Sequence, residues 1–206
     1  MNEALCSILS GEDEWSYDSD GRTIKFNQDG TGELWCRCEL VVWIAADFTW
    51  KSIKQPPLDP TVIESSLKTA KASPALLGQL NLEITLVKRL PEWTRTSTLA
   101  RNTLVNEHSL TDAAFEPKLY TVRFERGNFM VPWFLEGPKS QYHLSPRFEL
   151  RLLFDKSPYP PRSEWKKPDG GPDSGQFWEH KEFVGRKSSE LKRPINEVIS
   201  AACTVS

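Results

Sequence analysis

Cys36 and Cys38, in the stretch "DGTGELWCRCELVVWI" at 29–44, are the first side chains whose types and spacing could do chemistry. A Cys-x-Cys pair can bind zinc, form a redox disulfide or fill the inside of a strand. On an extended strand the two stand about 6.8 Å apart, at roughly 3.4 Å per residue. That is the upper limit of Cα separation for a disulfide, and the side chains run parallel rather than converging. Zinc would need further Cys or His ligands, and the three histidines (His108, His143 and His180) show no ligand spacing. Both thiols fall in phase with Leu34 and Leu40, so they read as wall residues of an apolar strand face. No metal and no cofactor is expected.

Proton transfer has two candidates. His143 is the histidine set in an expected strand; the plainer alternative is an exposed strand-end histidine before Ser145-Pro146. Glu149 follows, sharing a face with Arg151, as Arg123 and Glu125 share a face of an earlier strand. Pointing inward, either pair would orient a ligand in an apolar cavity. Pointing outward, they are cross-strand charges of small energetic value. The DGTG stretch lacks a following helix and the Lys-Ser/Thr of a phosphate-binding loop, and so reads as a hairpin turn. No Ser/His/Asp order or nucleophile elbow is legible.

Aromatic residues supply the rest of the candidate site. The chain has 8 Trp and 10 Phe, which serve either a core or a ligand pocket. Trp35, Trp43 and Trp133 fall where the opposite face is also apolar, so one face must meet a ligand, a helix or a partner chain. The candidate ligand contacts are Trp35, Trp43, Trp50, Tyr120, Arg123, Phe124, Trp133 and Arg151.

The elements that must position these groups are mostly strands, marked by period-2 alternation. Ile24 and Phe26 are in phase, and Asp29-Gly30 marks the next turn. Leu34, Cys36, Cys38, Leu40, Val42 and Ile44 then read as one face of a single long strand. Phe48 and Trp50 continue the meander. A helix is expected over "LDPTVIESSLKTAKA" (58–72), with Asp59 as N-cap and Pro60 at the first helical position. Leu80, Leu82, Ile84 and Leu86 resume the alternation, and 91–117 reads as a long loop with one short helical turn. Tyr120, Val122 and Phe124 begin a hairpin that turns at Gly127-Asn128 and returns through Pro132 as an edge or bulge. Phe148, Leu150, Leu152 and Phe154 form a last long strand. The domain is expected over 1–155, with a Pro/Gly-rich extension over 156–206 packing on it. Within the extension, "QFWEHKEFVG" reads as a short strand and "RPINEVISAAC" as a short helix.

Composition sets the outer bounds. With 206 residues, 38% hydrophobic and 26% charged, the chain is long enough to bury a sizeable core without a metal or disulfide. A formal charge of -2 argues against nucleic-acid binding. No run of about 18 apolar residues suggests a membrane helix. The start has no basic n-region and the 4 cysteines do not form a secreted framework, so the expected location is the cytoplasm.

Seven or eight strands in about 140 residues, nearly all in up-and-down order, predict an all-β antiparallel barrel. In that order, Trp15, "TIKFNQDGTGEL", "FTWKSI", "LEITLVKRL" and "YTVRFERGNF" resemble the calycins, the superfamily of lipocalins and fatty-acid-binding proteins. The resemblance covers roughly residues 15–155. It implies a cup-shaped barrel holding a small hydrophobic molecule, with Arg151 or Arg147 packed over Trp15. Some lipocalin-like proteins of natural-product pathways are instead cofactor-independent cyclases or isomerases, which here would use His143 or Glu149. A homodimer or partner contact through the apolar face of 129–135 is a further alternative.

Overall fold

The computed structural model describes residues 2–19, 21–38, 41–53, 74–88, 105–139, 142, 145–189 and 191. The helices expected at 58–72 and 193–203 lie outside the described residues, as does His143.

The protein is mostly antiparallel β, with a few short helices. Its strands are β1 (Trp15–Ser16), β2 (Arg22–Phe26), β3 (Thr31–Cys38), β4 (Val41–Ile53), β5 (Ala75–Leu86), β6 (Lys118–Phe129), β7 (Phe148–Phe154) and β8 (Glu182–Lys187). Each pairs antiparallel with the next, and β8 pairs back to β1, so the 8 strands form one closed ring in chain order. The strands are not spaced evenly about an axis. The Asp29-Gly30 turn is as expected: Asn27 N–H donates to the Thr31 carbonyl at 2.8 Å, and Gly30 supplies the positive φ of 82° that a side chain would disfavour.

Three features differ from the sequence expectation. The apolar run 34–44 is two strands, because Cys38 already pairs with Val41 across the β3–β4 hairpin. Glu39-Leu40 carries none of the usual turn residues, so nothing in the sequence marks the reversal. Second, Gly127-Asn128 is not a hairpin turn: β6 runs through to Phe129 and only shifts register against β7 between Arg126 and Phe129. The expected return arm is instead a short helix, Pro132–Glu136, with proline in its first turn. Third, the ring takes its closing strand, β8, from beyond residue 155.

Alternation fills the centre. Ile24, Phe26, Leu34, Cys36, Ile44, Phe48, Leu82, Val122, Phe124 and Leu152 are each at most 1% exposed and belong to one continuous cluster. Aromatic rings meet edge to face within it, Phe26 on Phe48 at 5.2 Å and Phe154 on Phe183 at 5.8 Å.

Each end is capped. Helix α1 (Asn2–Gly11) turns Leu5 and Leu9 inward, and the Leu9 carbonyl accepts the Trp15 indole N–H at 2.9 Å. Toward the other end, Tyr159, Trp165 and Phe177 of the 156–180 segment are buried, and the Tyr159 hydroxyl donates to the Trp35 carbonyl at 2.7 Å. Separately from the central cluster, Phe129, Val131, Phe148 and Val184 form a second, smaller apolar cluster with Phe134 packed on it. Within 129–135 the apolar residues divide: Phe129 and Val131 are buried in this cluster, while Trp133 and Leu135 stay 41% and 48% exposed.

Candidate functional site

The residues expected to gather in one cavity are spread over the molecule. Tyr120 and Phe124 lie in the packed interior, 5% and 1% exposed. Trp50 sits at the β2–β3 turn, its indole N–H shared between the Asn27 and Thr31 carbonyls at 3.1 and 3.0 Å. Trp43 packs against Gly171, where a Cβ would come within 2.1 Å of its ring. Arg123 is exposed on the wall of β6, and Glu149 is half-buried on β7. Trp133 is 41% exposed on the 132–136 helix rather than on a strand.

Arg151 does not cover Trp15. It reaches across the outside of β6, β7 and β8, with Nε on Glu125 at 2.9 Å and an Nη on Glu182 at 3.1 Å, and its guanidinium lies over Phe129. Trp15 instead meets the edge of Phe124 and the face of Gly185, where a Cβ would stand only 3.0 Å from the indole. Cys36 is buried and Cys38 half-buried, both as free thiols, and burial pushes the Cys36 thiol up. Among the described residues, no group of three or more His, Cys, Asp or Glu is placed to hold a metal ion.

Among the described residues, two recesses on the outside of the ring stand out. The larger, about 1070 Å³, follows the outer wall of β1, β2 and β3 and the flank of β8. Trp35, Val42, Val131 and Phe148 give it apolar surface, while Lys25, Glu33, Arg186 and Lys187 give it charge. The Trp35 indole N–H donates to Glu33 at 3.1 Å. Glu12 accepts Arg186 Nε and Nη2 at 3.1 and 2.6 Å. Trp35 alone of the expected ligand contacts lines this cleft.

The smaller recess, about 540 Å³, lies between the helix 132–136 and the segment 174–182. Its floor is Tyr17 and His180, whose rings stack at 3.7 Å and 17°. The Arg22 guanidinium stands 4.8 Å from the same phenol. With the imidazole on one face, the guanidinium takes the other. Arg22 is ion-paired to Asp18, whose carboxylate also accepts the backbone N–H of Gly21 and Arg22 at 3.0 Å each. The Tyr17 hydroxyl donates to Glu136. Burial and then this carboxylate push the phenol well above its ordinary value.

His180 is the opposite case. Burial, and after it the charge of Arg22, hold its imidazole down to about 3, and Nδ1 is buried without a hydrogen-bond partner. The ring is therefore neutral at ordinary pH. Among the described residues, the two non-glycine residues with positive φ, Gln176 at 44° and Arg186 at 56°, line one recess each. Such backbone strain gathers at functional positions.

Sequence reasoning missed Tyr17, Arg22, Glu136 and His180. Their separation along the chain hides the group. The signals that were present are weak: "YDSDGR" carries an Asp and a Gly in turn spacing, and His180 stands between Trp178 and Phe183 in an aromatic stretch. No family model, no curated protein and no solved structure matches the chain.

Proposed function

We propose that the protein is a calycin-like barrel that binds a small amphipathic molecule, and that the molecule lies in the outer cleft against Trp35 rather than inside the ring. One observation carries the reading: bulky aromatic side chains fill the centre, while a recess of about 1070 Å³ stands open on the wall. Ligand sites of this kind combine apolar surface with a few placed polar groups. Trp35 and Phe148 would supply the first, Lys25 and Lys187 the second. Affinity would come from ring burial and orientation from the ammonium groups.

The test is intrinsic fluorescence titration with amphipathic and fully apolar ligands, comparing the native chain with Trp35→Ala and Trp133→Ala. Saturable quenching that Trp35→Ala abolishes and Trp133→Ala retains supports the cleft. Quenching that survives Trp35→Ala, or a flat response throughout, rejects it.

A cofactor-independent isomerase or cyclase is the second reading. It is favoured by the hydrogen-bonded Tyr17–Glu136 pair in a recess of about 540 Å³ beside a neutral histidine. Such catalysis would rest on positioning and proton transfer. Loss of turnover in Glu136→Gln with ligand affinity kept is the outcome that supports it.

A further inference from the structure

We propose that the joint between β1 and β8 is an acid-released latch on the outer cleft, with His180 as the group that takes the proton. This rests on the cleft being the binding site, since the joint runs through its wall: Glu12, Ser16 and Asp18 line the cleft from one side of the joint and Arg186 and Lys187 from the other.

The joint is the weakest backbone link in the ring. β1 has two residues, and one residue pair, Ser16 with Val184, connects it to β8. Side chains supply the rest of the closure. Trp15 lies on Gly185, Glu12 takes Arg186, and Tyr17 stacks on His180. The Tyr17 carbonyl also accepts the Trp133 N–H at 3.2 Å. Of these contacts, the stack is the one that holds an imidazole, which is neutral while the joint is closed and takes a proton when it opens.

Every element packed on His180 bears on that change. Tyr17 and Asp18 face it from the turn after β1, Arg22 from β2, and Tyr159 and Phe177 from the 156–180 segment, while Glu136 of the 132–136 helix shares its recess with Glu179, Lys181 and Glu182. Arg22 opposes a second positive charge, Asp18 favours it, and Asp18 is already committed to Arg22. The Gly175 carbonyl favours it weakly. Burial adds the largest opposition. An open joint returns the imidazole to water and lifts all of these restraints, so protons bind the open form more tightly and acid draws the equilibrium toward it. With one proton involved, the opening constant rises by at most about tenfold per pH unit.

Backbone hydrogen exchange on the ligand-free protein, corrected for intrinsic rates, reads this directly from pH 7 to pH 4. Exchange at Ser16 and Val184 is expected to accelerate by up to about tenfold per unit while Leu34, Ala46 and Val122 stay protected. His180→Phe, which keeps a stacked ring and removes the proton site, is expected to flatten the response. Equal acceleration at the joint and at β3–β4, or a response that persists in His180→Phe, overturns the latch. Where that variant does not fold, the His180 ring proton shift of the native chain decides instead. Titration in step with the Ser16 and Val184 exchange supports the proposal, and titration without any change at the joint overturns it. Because no ligand is present, these outcomes are independent of the fluorescence test of the cleft.

Discussion

The β3–β4 hairpin and the β1–β8 joint do the same job by different means. Between β3 and β4, eight residue pairs hold the strands, from Thr31 with Thr49 to Cys38 with Val41. Between β1 and β8 there is one pair, braced by an indole, a phenol–imidazole stack and an ion pair. Backbone ladders are insensitive to which side chains they carry. A joint made of side chains is not, so single substitutions and pH should act on it far more than on the hairpin.

The largest effect expected is from Trp15→Ala. The indole is fully buried and holds β1, α1 and Gly185 together, and its removal should cost about 4 kcal/mol in denaturant-induced unfolding. Acid comes next. His180 protonates near 6.5 when unfolded and at about 3 when folded, so the unfolded chain binds more protons between those values. Stability should hold above about pH 6.5 and fall as the pH drops toward 3, by ~4 kcal/mol, with the slope lost in His180→Phe.

Gly185→Ala should cost about 1–3 kcal/mol, because its Cβ would press on the indole at 3.0 Å. Arg186→Ala leaves Glu12 buried at 8% exposure without its partner, which should cost about 1–2 kcal/mol. Smallest is the control on the ladder. Lys51 pairs with Glu83 at 2.6 Å across β4 and β5 but is 67% exposed, so Lys51→Ala should change stability by less than about 0.5 kcal/mol. Were Lys51→Ala to cost as much as Arg186→Ala, the distinction between ladder and joint would fail.

How much of this was legible in the sequence follows from the range of the forces involved. Alternation is local, so Ile24, Phe26, Leu34, Cys36, Phe48, Leu82, Phe124 and Leu152 all take the inward face that their phase implies. The turn at Asp29-Gly30 was legible because one residue needs a positive φ. The reversal after Cys38 was not, since Glu39 and Leu40 are ordinary strand residues in type. Gly127-Asn128 misled for the converse reason: glycine also suits a strand irregularity, and the pairing of β6 with β7 outweighed local turn preference.

The candidate sites were less legible still. Trp35 stands out in the sequence as an aromatic on a strand whose opposite face is also apolar. Tyr17 and His180 are 163 positions apart and meet only through ring closure. Asn106 makes the same point. Its side chain, 1% exposed, bonds the Ala45 N–H and carbonyl at 3.0 and 2.8 Å, and nothing near it in sequence suggests so specific a clamp.

Pairing the first strand with the last has a bearing on biosynthesis. During translation, residues 15–16 emerge long before residue 184, so a nascent chain carrying β1 through β7 still has the outer edges of β1 and β7 unpaired. Unpaired strand edges invite contact with other chains. Completion of the fold therefore depends on late-emerging residues, and premature termination before Glu182 should yield aggregation-prone fragments rather than a smaller stable protein.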